Sequence, residues 1–204
     1  MTKKKKVERG EILVHLGKSL SENDILVAAF AGTTYECYTN LHRPGNLYAV
    51  GMGMVTPVAF GLAQALPRRR IIALDTDGGT LLSPSILAVV GLYRPKNLSI
   101  LVFDNERLYG SRQGPPSPTA FHTDLAGMAR AAGIEKAATV EDLNGFNARL
   151  SWFLSEAGPA LLVAKVEPTF IRGDGPSLNG QENKFRLVRL IEETENVKIL
   201  EGAR

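Results

Sequence analysis

The chain has 204 residues, 44% of them hydrophobic and 22% charged, with a formal net charge of +3. This is ordinary globular composition, long enough for one domain with a sizeable core, so a single domain over 1–204 is expected. There is no apolar run long enough to cross a bilayer and no apolar segment of signal-peptide type, and the lone cysteine, Cys37, permits no internal disulfide; a cytoplasmic chain without a membrane span is expected.

The basic residues cluster at Lys3–Lys6, read as a frayed arm, and at Arg68–Arg70, beside a helix end whose dipole they complement. Neither cluster is interleaved with aromatics, so no nucleic-acid surface is expected. Cys37 reads as a small, semi-buried side chain.

In chain order, residues 8–20 predict an amphipathic helix with Ile12, Leu13, Leu16 and Leu20 on one side. DILVAAFAG predicts a buried strand over 25–30, ending in Gly32-Thr33-Thr34. PGNLYAVGMGM gives a short extended piece closing on spaced glycines, and 55–66 a helix with Pro57 in its first turn. A strand at 70–75, a helix at 84–93 and a strand at 98–104 follow, then a Gly/Pro/Ser-rich loop at 110–119. A helix at 123–132, a strand near 134–138, a helix at 141–156 and a strand at 159–166 complete the alternation. From about residue 168 the tail reads as a long loop to Asn183 and a terminal helix in KFRLVRLIEETE.

Strands that are apolar throughout and alternate with helices imply an α/β fold: a doubly wound, mostly parallel sheet with helices on both faces. Such sheets carry their sites at the C-terminal ends of the strands. Three strand ends, at 32–34, 75–80 and 104–111, hold the polar and glycine-rich residues.

The stretch ALDTDGGTLL, residues 73–82, admits three readings. Asp75-Thr76-Asp77-Gly78 resembles the motif of haloacid dehalogenase-type phosphatases, but Gly79 stands where that motif has Thr, and no later strand end offers paired acids. Gly51-Met52-Gly53 suggests a dinucleotide turn, yet Thr56 occupies the third glycine position. The third reading joins Asp77 to Asn105, 28 residues on, as two oxygen ligands of Mg2+ at one edge of the sheet. A carbonyl just beyond Asn105, a diphosphate and water complete an octahedron, with glycine amides and a helix start near the phosphates.

The run TDGGTLLSPSILAVVGLYRPKNLSILVFDNERLYGS resembles the Gly-Asp-Gly…Asn signature of thiamine diphosphate-dependent enzymes. It departs from it in Thr76 for the first Gly and Asp104 for a first Asn, and is most similar to the small β subunits of sulfopyruvate and phosphonopyruvate decarboxylases. The resemblance runs over about four fifths of the chain. It implies metal ligation by Asp77, Asn105 and the backbone carbonyl of Arg107. It further implies cofactor contacts from Thr33, Thr34, Val50 (through its carbonyl), Met52 (as the apolar wedge), Gly53, Asp77, Gly78, Gly79, Asn105, Tyr109 and Gly110. Thiamine diphosphate and Mg2+ are the implied cofactors and a 2-oxoacid the implied substrate.

In that family the activating glutamate comes from a pyrimidine-binding domain, for which this chain has no room. The resemblance therefore implies half an active site, completed by a pyrimidine-domain α subunit; a partly apolar partner surface would also allow the isolated chain to form a homodimer. Glu36 or Glu106 would have to serve if the chain acted alone. The loop Arg112-Gln113-Gly114-Pro115-Pro116 replaces the Thr-Gly-Gly-Gln of the related decarboxylases. Arg112 either binds an acidic substrate group or points to solvent; His122 either relays protons or is structural. A non-catalytic thiamine diphosphate-binding module is the alternative of a different class.

Overall fold

A computed structural model describes residues 6–110, 112–155, 157–169, 175–176 and 179–200. Six strands form one sheet in the order β2-β1-β3-β4-β6-β5, and every pairing is parallel. They are β1 (Ile25–Ala29), β2 (Asn46–Val50), β3 (Ile71–Thr76), β4 (Leu98–Asp104), β5 (Lys136–Val140) and β6 (Ala160–Lys165). The helices are α1 (Arg9–Gly17), α2 (Gly32–Leu41), α3 (Val55–Ala65), α4 (Asp77–Leu82), α5 (Ser85–Tyr93), α6 (Leu125–Ala131), α7 (Leu143–Phe153) and α8 (Gly180–Glu195). Among the described residues no helix is long and apolar enough to cross a membrane.

The strands are apolar on both sides because both sides are covered. Ile25, Val27, Ile71, Ala73, Ile100 and Val102 pack into one core with residues of α3, α5, α6 and α8. Leu26, Ala28, Ile72, Leu74, Leu101 and Phe103 pack into the other with residues of α1, α2 and α7. This alternation is the strand period of two with an apolar layer on each face.

Two helices escape the sequence pattern. α2 follows β1 directly, although GTTYECYTN contains few good helix formers and its N-cap, Ala31, makes no side-chain cap bond. Tertiary contacts hold it: Cys37 is fully buried in the α1/α2/α7 core. α4 occupies the supposed acidic glycine turn, capped by the Thr76 hydroxyl, which accepts the Gly79 N–H at 3.0 Å. Elsewhere ends move: 8–20 becomes Arg9–Gly17, 141–156 becomes Leu143–Phe153, the strand near 134–138 becomes Lys136–Val140, and the terminal helix starts at Gly180, capped by Asn179, inside the expected loop.

The Arg68–Arg70 cluster is structural. Arg70 holds Asp24 through Nε at 3.1 Å and Nη2 at 2.5 Å, while Arg68 and Arg69 both bind Glu195 of α8. α8 also guards the open edge of the sheet. The Asn183 side chain accepts the Tyr48 N–H at 3.3 Å and donates to the Tyr48 carbonyl at 2.6 Å, substituting for a neighbouring strand. Residues 1–5, including most of the basic arm, and residues 170–174 and 177–178 of the expected tail loop lie outside the described residues.

Candidate functional site

The strand order reverses between β1 and β3, since β2 lies on one side of β1 and every later strand on the other. A crevice opens at such a switch point, at the C-terminal strand ends. A cavity of about 310 Å³ lies there. Its walls are the β1–α2 turn (Phe30, Gly32, Thr33), Met52, the start of α4 (Thr76, Asp77, Gly78), and the segment after β4 (Asn105 and Arg107 to Gly110).

The register explains why Asp77 and Asn105 meet here. Thr76 of β3 pairs with Phe103 of β4, so Asp77 emerges level with Asp104 and one position from Asn105. Asp77 is 3% exposed. Burial, then the charge of Asp104, raise its carboxyl to about 6, outweighing the lowering by the Ser117 and Thr119 hydroxyls and the Gly78 amide. The Thr119 hydroxyl lies 2.7 Å from Asp104 Oδ1 and 3.3 Å from Asp77 Oδ2. It has one proton and serves the nearer acceptor, so Asp77 relies on the Ser117 hydroxyl and the Gly78 amide. Asp104 is compensated from elsewhere, by Lys165 Nζ at 2.7 Å. Asn105 Oδ1 accepts the Arg107 N–H at 2.9 Å and keeps a lone pair.

A buried carboxylate beside an amide oxygen is suited to a hard cation. Among the described residues there is no cluster of three His, Cys, Asp or Glu. A metal here would therefore take its other oxygens from backbone, diphosphate and water. The donor set fits Mg2+, and the cavity, with the first turn of α2 on its wall, fits the diphosphate end of a cofactor.

The acid two residues earlier is of another kind. Asp75 is 1% exposed, accepts from the Thr56 hydroxyl at 2.7 Å and the Thr76 N–H at 2.8 Å, and does not border the cavity. A phosphatase nucleophile must reach substrate, so that reading fails on placement. Asp75 also accounts for the second glycine: a Cβ at Gly79 would lie 2.3 Å from Asp75 Oδ1. Gly79 is thus set by packing and is not on the cavity wall.

Of the expected site residues, Thr33, Met52, Asp77, Gly78, Asn105, Arg107, Tyr109 and Gly110 all border the cavity. Thr34, Val50 and Gly53 do not. The Thr34 hydroxyl donates to the Ala29 carbonyl and accepts the Ala49 N–H, bracing the β1–β2 junction. The Val50 carbonyl already accepts the Phe30 N–H at 2.9 Å. Gly53, at φ +77, is backed by Leu82. Arg112 and His122 are exposed and off the cavity, and Arg112 Nη2 lies 3.5 Å from Glu167.

The two reserve acids are engaged elsewhere: Glu36 pairs with Arg9, and Glu106 with Lys6 and Lys165; neither borders the cavity. Cys37 is buried and its thiol is pushed up to about 12 by that burial, so it is no nucleophile at neutral pH. Sequence reasoning missed Arg9, Phe30, Phe103 and Leu108, which all line the cavity. Phe30 ends a run already recognised as a strand, and its 61% exposure marks it as a rim residue; Arg9 carried no local signal. Non-glycine residues with positive φ crowd this edge, namely Ala31, Ala49, Glu106 and Tyr109. Such strain tends to gather at ligand sites.

Comparison with known proteins identifies the family of the chain. The family described as thiamine pyrophosphate enzyme, C-terminal TPP binding domain, matches residues 29–164. Sulfopyruvate decarboxylase subunit beta of Methanocaldococcus jannaschii is 28% identical over 162 residues, covering 79% of this chain and 85% of that one. The subunit of the same name from Methanococcus maripaludis is 31% identical, covering 72% and 77%. Phosphonopyruvate decarboxylase of Streptomyces viridochromogenes is 30% identical over 80% of this chain but only 41% of its own length. In fold, benzoylformate decarboxylase from Polynucleobacter necessarius superimposes with a TM-score of 0.67 at 19% identity, over 84% of this chain and 36% of that one. The chain thus spans less than half of the larger enzymes and most of the small subunits. It belongs to the thiamine pyrophosphate enzyme family and carries that family's C-terminal cofactor-binding domain.

Proposed function

We propose that this chain is the β subunit of a thiamine diphosphate- and Mg2+-dependent 2-oxoacid decarboxylase, and supplies the diphosphate- and metal-holding half of its active site. The observation that carries the reading is the meeting of Asp77 and Asn105, from adjacent strand ends, on a cavity at the switch point. The naming of two similar chains as sulfopyruvate decarboxylase beta subunits supports it.

In this reading the Asp77 carboxylate, the Asn105 amide oxygen and the Arg107 carbonyl hold Mg2+. The Thr33 hydroxyl and the free N–H groups opening α2 hold diphosphate oxygens. Met52 provides an apolar wall, and Tyr109 and Gly110 border the mouth. Bound thiamine diphosphate supplies the electron sink that loss of carbon dioxide from a 2-oxoacid requires. No acid of this chain borders the cavity except Asp77, among the described residues, so the activating glutamate is assigned to a pyrimidine-domain α subunit. Phe30, Met52 and Tyr109 are each more than half exposed on the rim, an apolar surface suited to that partner.

The test is co-purification with a pyrimidine-domain chain, calorimetry with thiamine diphosphate and Mg2+, and a panel of 2-oxoacids including sulfonate- and phosphonate-bearing ones. Carbon dioxide release by the complex and not by either chain alone is expected. Binding without turnover would leave a non-catalytic module, and turnover by this chain alone would sink the half-site reading.

A further inference from the structure

Arg9 is the first residue of α1 and lies outside the matched stretch of the family, yet it borders the cavity. It is 4% exposed. Its Nη1 donates to Glu36 Oε1 at 2.7 Å, and Glu36 is equally buried. Its guanidinium carbon sits 5.5 Å from the centroid of Phe103, another residue of the cavity wall. Its Nε, although buried, has no hydrogen-bond partner.

Arg186 shares the idle Nε but lies away from the cavity, whereas the fully engaged Arg70 shows what a structural arginine can achieve here. Arg70 uses Nε, Nη1 and Nη2, on Asp24 and two backbone carbonyls. A buried guanidinium with an idle donor is costly, and native structures retain few such groups without a reason. Phe103, whose ring the guanidinium faces, pairs with Thr76 directly before Asp77, so the guanidinium lies at the metal end of the cavity. An incoming diphosphate carries more negative charge than Mg2+ beside an ionised Asp77 can balance.

The placement of Arg9 is rigid. Glu8 and Glu11 form a capping box at the start of α1, and Ile12, Leu13 and Leu16 anchor the helix in the core. Just before it, Val7 bridges Val166, and the Glu167 N–H donates to the Val7 carbonyl at 3.0 Å. This clamps the helix start to the C-terminal end of β6.

We infer that Arg9 is a diphosphate-binding residue of this site, its guanidinium oriented by Glu36 and the Phe103 ring and its Nε–H free for an anionic oxygen. The inference rests on the cofactor reading above and adds to it an element from outside the matched domain. A guanidinium suits this task because one of its edges can hold a carboxylate while another meets a phosphate.

The experiment uses the full chain in its complex, labelled with 15N-arginine, with the Arg9 Nε–H signal assigned through the residue's own backbone. On addition of thiamine diphosphate and Mg2+, that signal is expected to move downfield and its solvent exchange to slow. By calorimetry Arg9→Lys should weaken cofactor binding about tenfold or more, with an unchanged melting temperature showing that the fold persists. Glu36→Gln, which keeps the guanidinium and loosens it, should weaken binding less. If the parent binds cofactor while the Nε–H signal stays still, the inference is overturned and the cofactor reading stands. Arg9→Lys that binds cofactor normally but raises KM for an acidic 2-oxoacid also overturns it, by assigning the anion to substrate. If the parent binds no better than Asp77→Ala, the cofactor reading itself fails.

Discussion

The two ends of the central strands β1, β3 and β4 handle buried polar groups in different ways. At the N-terminal ends of β1, β3 and β4 the buried polar groups are engaged, although beside β2 Arg43 Nη1, Asn46 Oδ1 and Arg186 Nε have no partner. Asp24 takes two bonds from Arg70 and one from the Ser21 N–H, and the Asn97 side-chain amide donates to the carbonyls of Ala63, Leu66 and Arg69. At the C-terminal ends, Arg9 Nε and the Thr80 hydroxyl have no partner. The N-terminal ends of the central strands spend their polar groups on the fold, and the C-terminal ends keep donors on the cavity side. Substitutions at the N-terminal ends should therefore act on stability, and at the C-terminal ends on binding.

The largest expected effect breaks a satisfied N-terminal end. Asp24→Ala leaves Arg70 without its carboxylate and should cost about 3–5 kcal/mol in urea unfolding, the scale of a broken buried pair. Cofactor affinity, measured below the unfolding transition, should be unchanged. Next come the opposite ends: Asp77→Ala or Asn105→Ala should lower affinity for thiamine diphosphate with Mg2+ by about a hundredfold, with removal of Mg2+ from the parent equivalent. Parent-like calorimetry from both variants would remove the metal site from the account.

A third prediction follows from acidity. The Asp77 carboxyl sits at about 6 in the fold against an ordinary 3.8. The folded state thus binds this proton more tightly than the unfolded chain does. Its stabilising contribution is full below about pH 4 and lost as pH rises through about 6. Without cofactor, Asp77→Asn should therefore be more stable than the parent at pH 7, by on the order of 2 kcal/mol, and the gap should close below pH 4. An equal gap at both pH values would show that the carboxyl titrates normally. The smallest effect is Arg94→Ala, which removes an exposed pair with Glu135. Less than about 0.5 kcal/mol is expected, and a larger loss would mean that surface pairs at the N-terminal strand ends matter more than their exposure allows.

The strands were legible because each is apolar on both faces and bounded by turn residues, and Asp77 and Asn105 because acids and amides at buried strand ends are conspicuous. What stayed hidden depends on tertiary contact. α2 has weak helix formers and is held by burial of Cys37 and by the Arg9–Glu36 pair. Thr76-Asp77-Gly78-Gly79 reads as a turn until the Thr76 cap is seen, and a Thr followed by an acid in the next position was the available signal. Gly79 was assigned to the cofactor when its neighbour Asp75 explains it. Arg9 reads as an ordinary charge near a helix start; only the path of α1 across the sheet brings it to the cavity. Arg112 and His122 drew attention through loop chemistry, and the fold turns both outward.

The Asn183 contact with Tyr48 joins residues separated by 135 positions. A ribosome working at 5–20 residues per second needs about 7–27 s to make that length of chain. Until then β2, already able to pair with β1, presents a row of unsatisfied amides and carbonyls to the cell. The nascent chain therefore passes through a window in which its outermost strand can recruit a strand from another chain, and α8 closes it. Expression at low temperature lengthens that window while weakening apolar association. The yield of soluble protein should thus respond more strongly to chaperones that shield emerging strands than to any gain in stability of the finished fold.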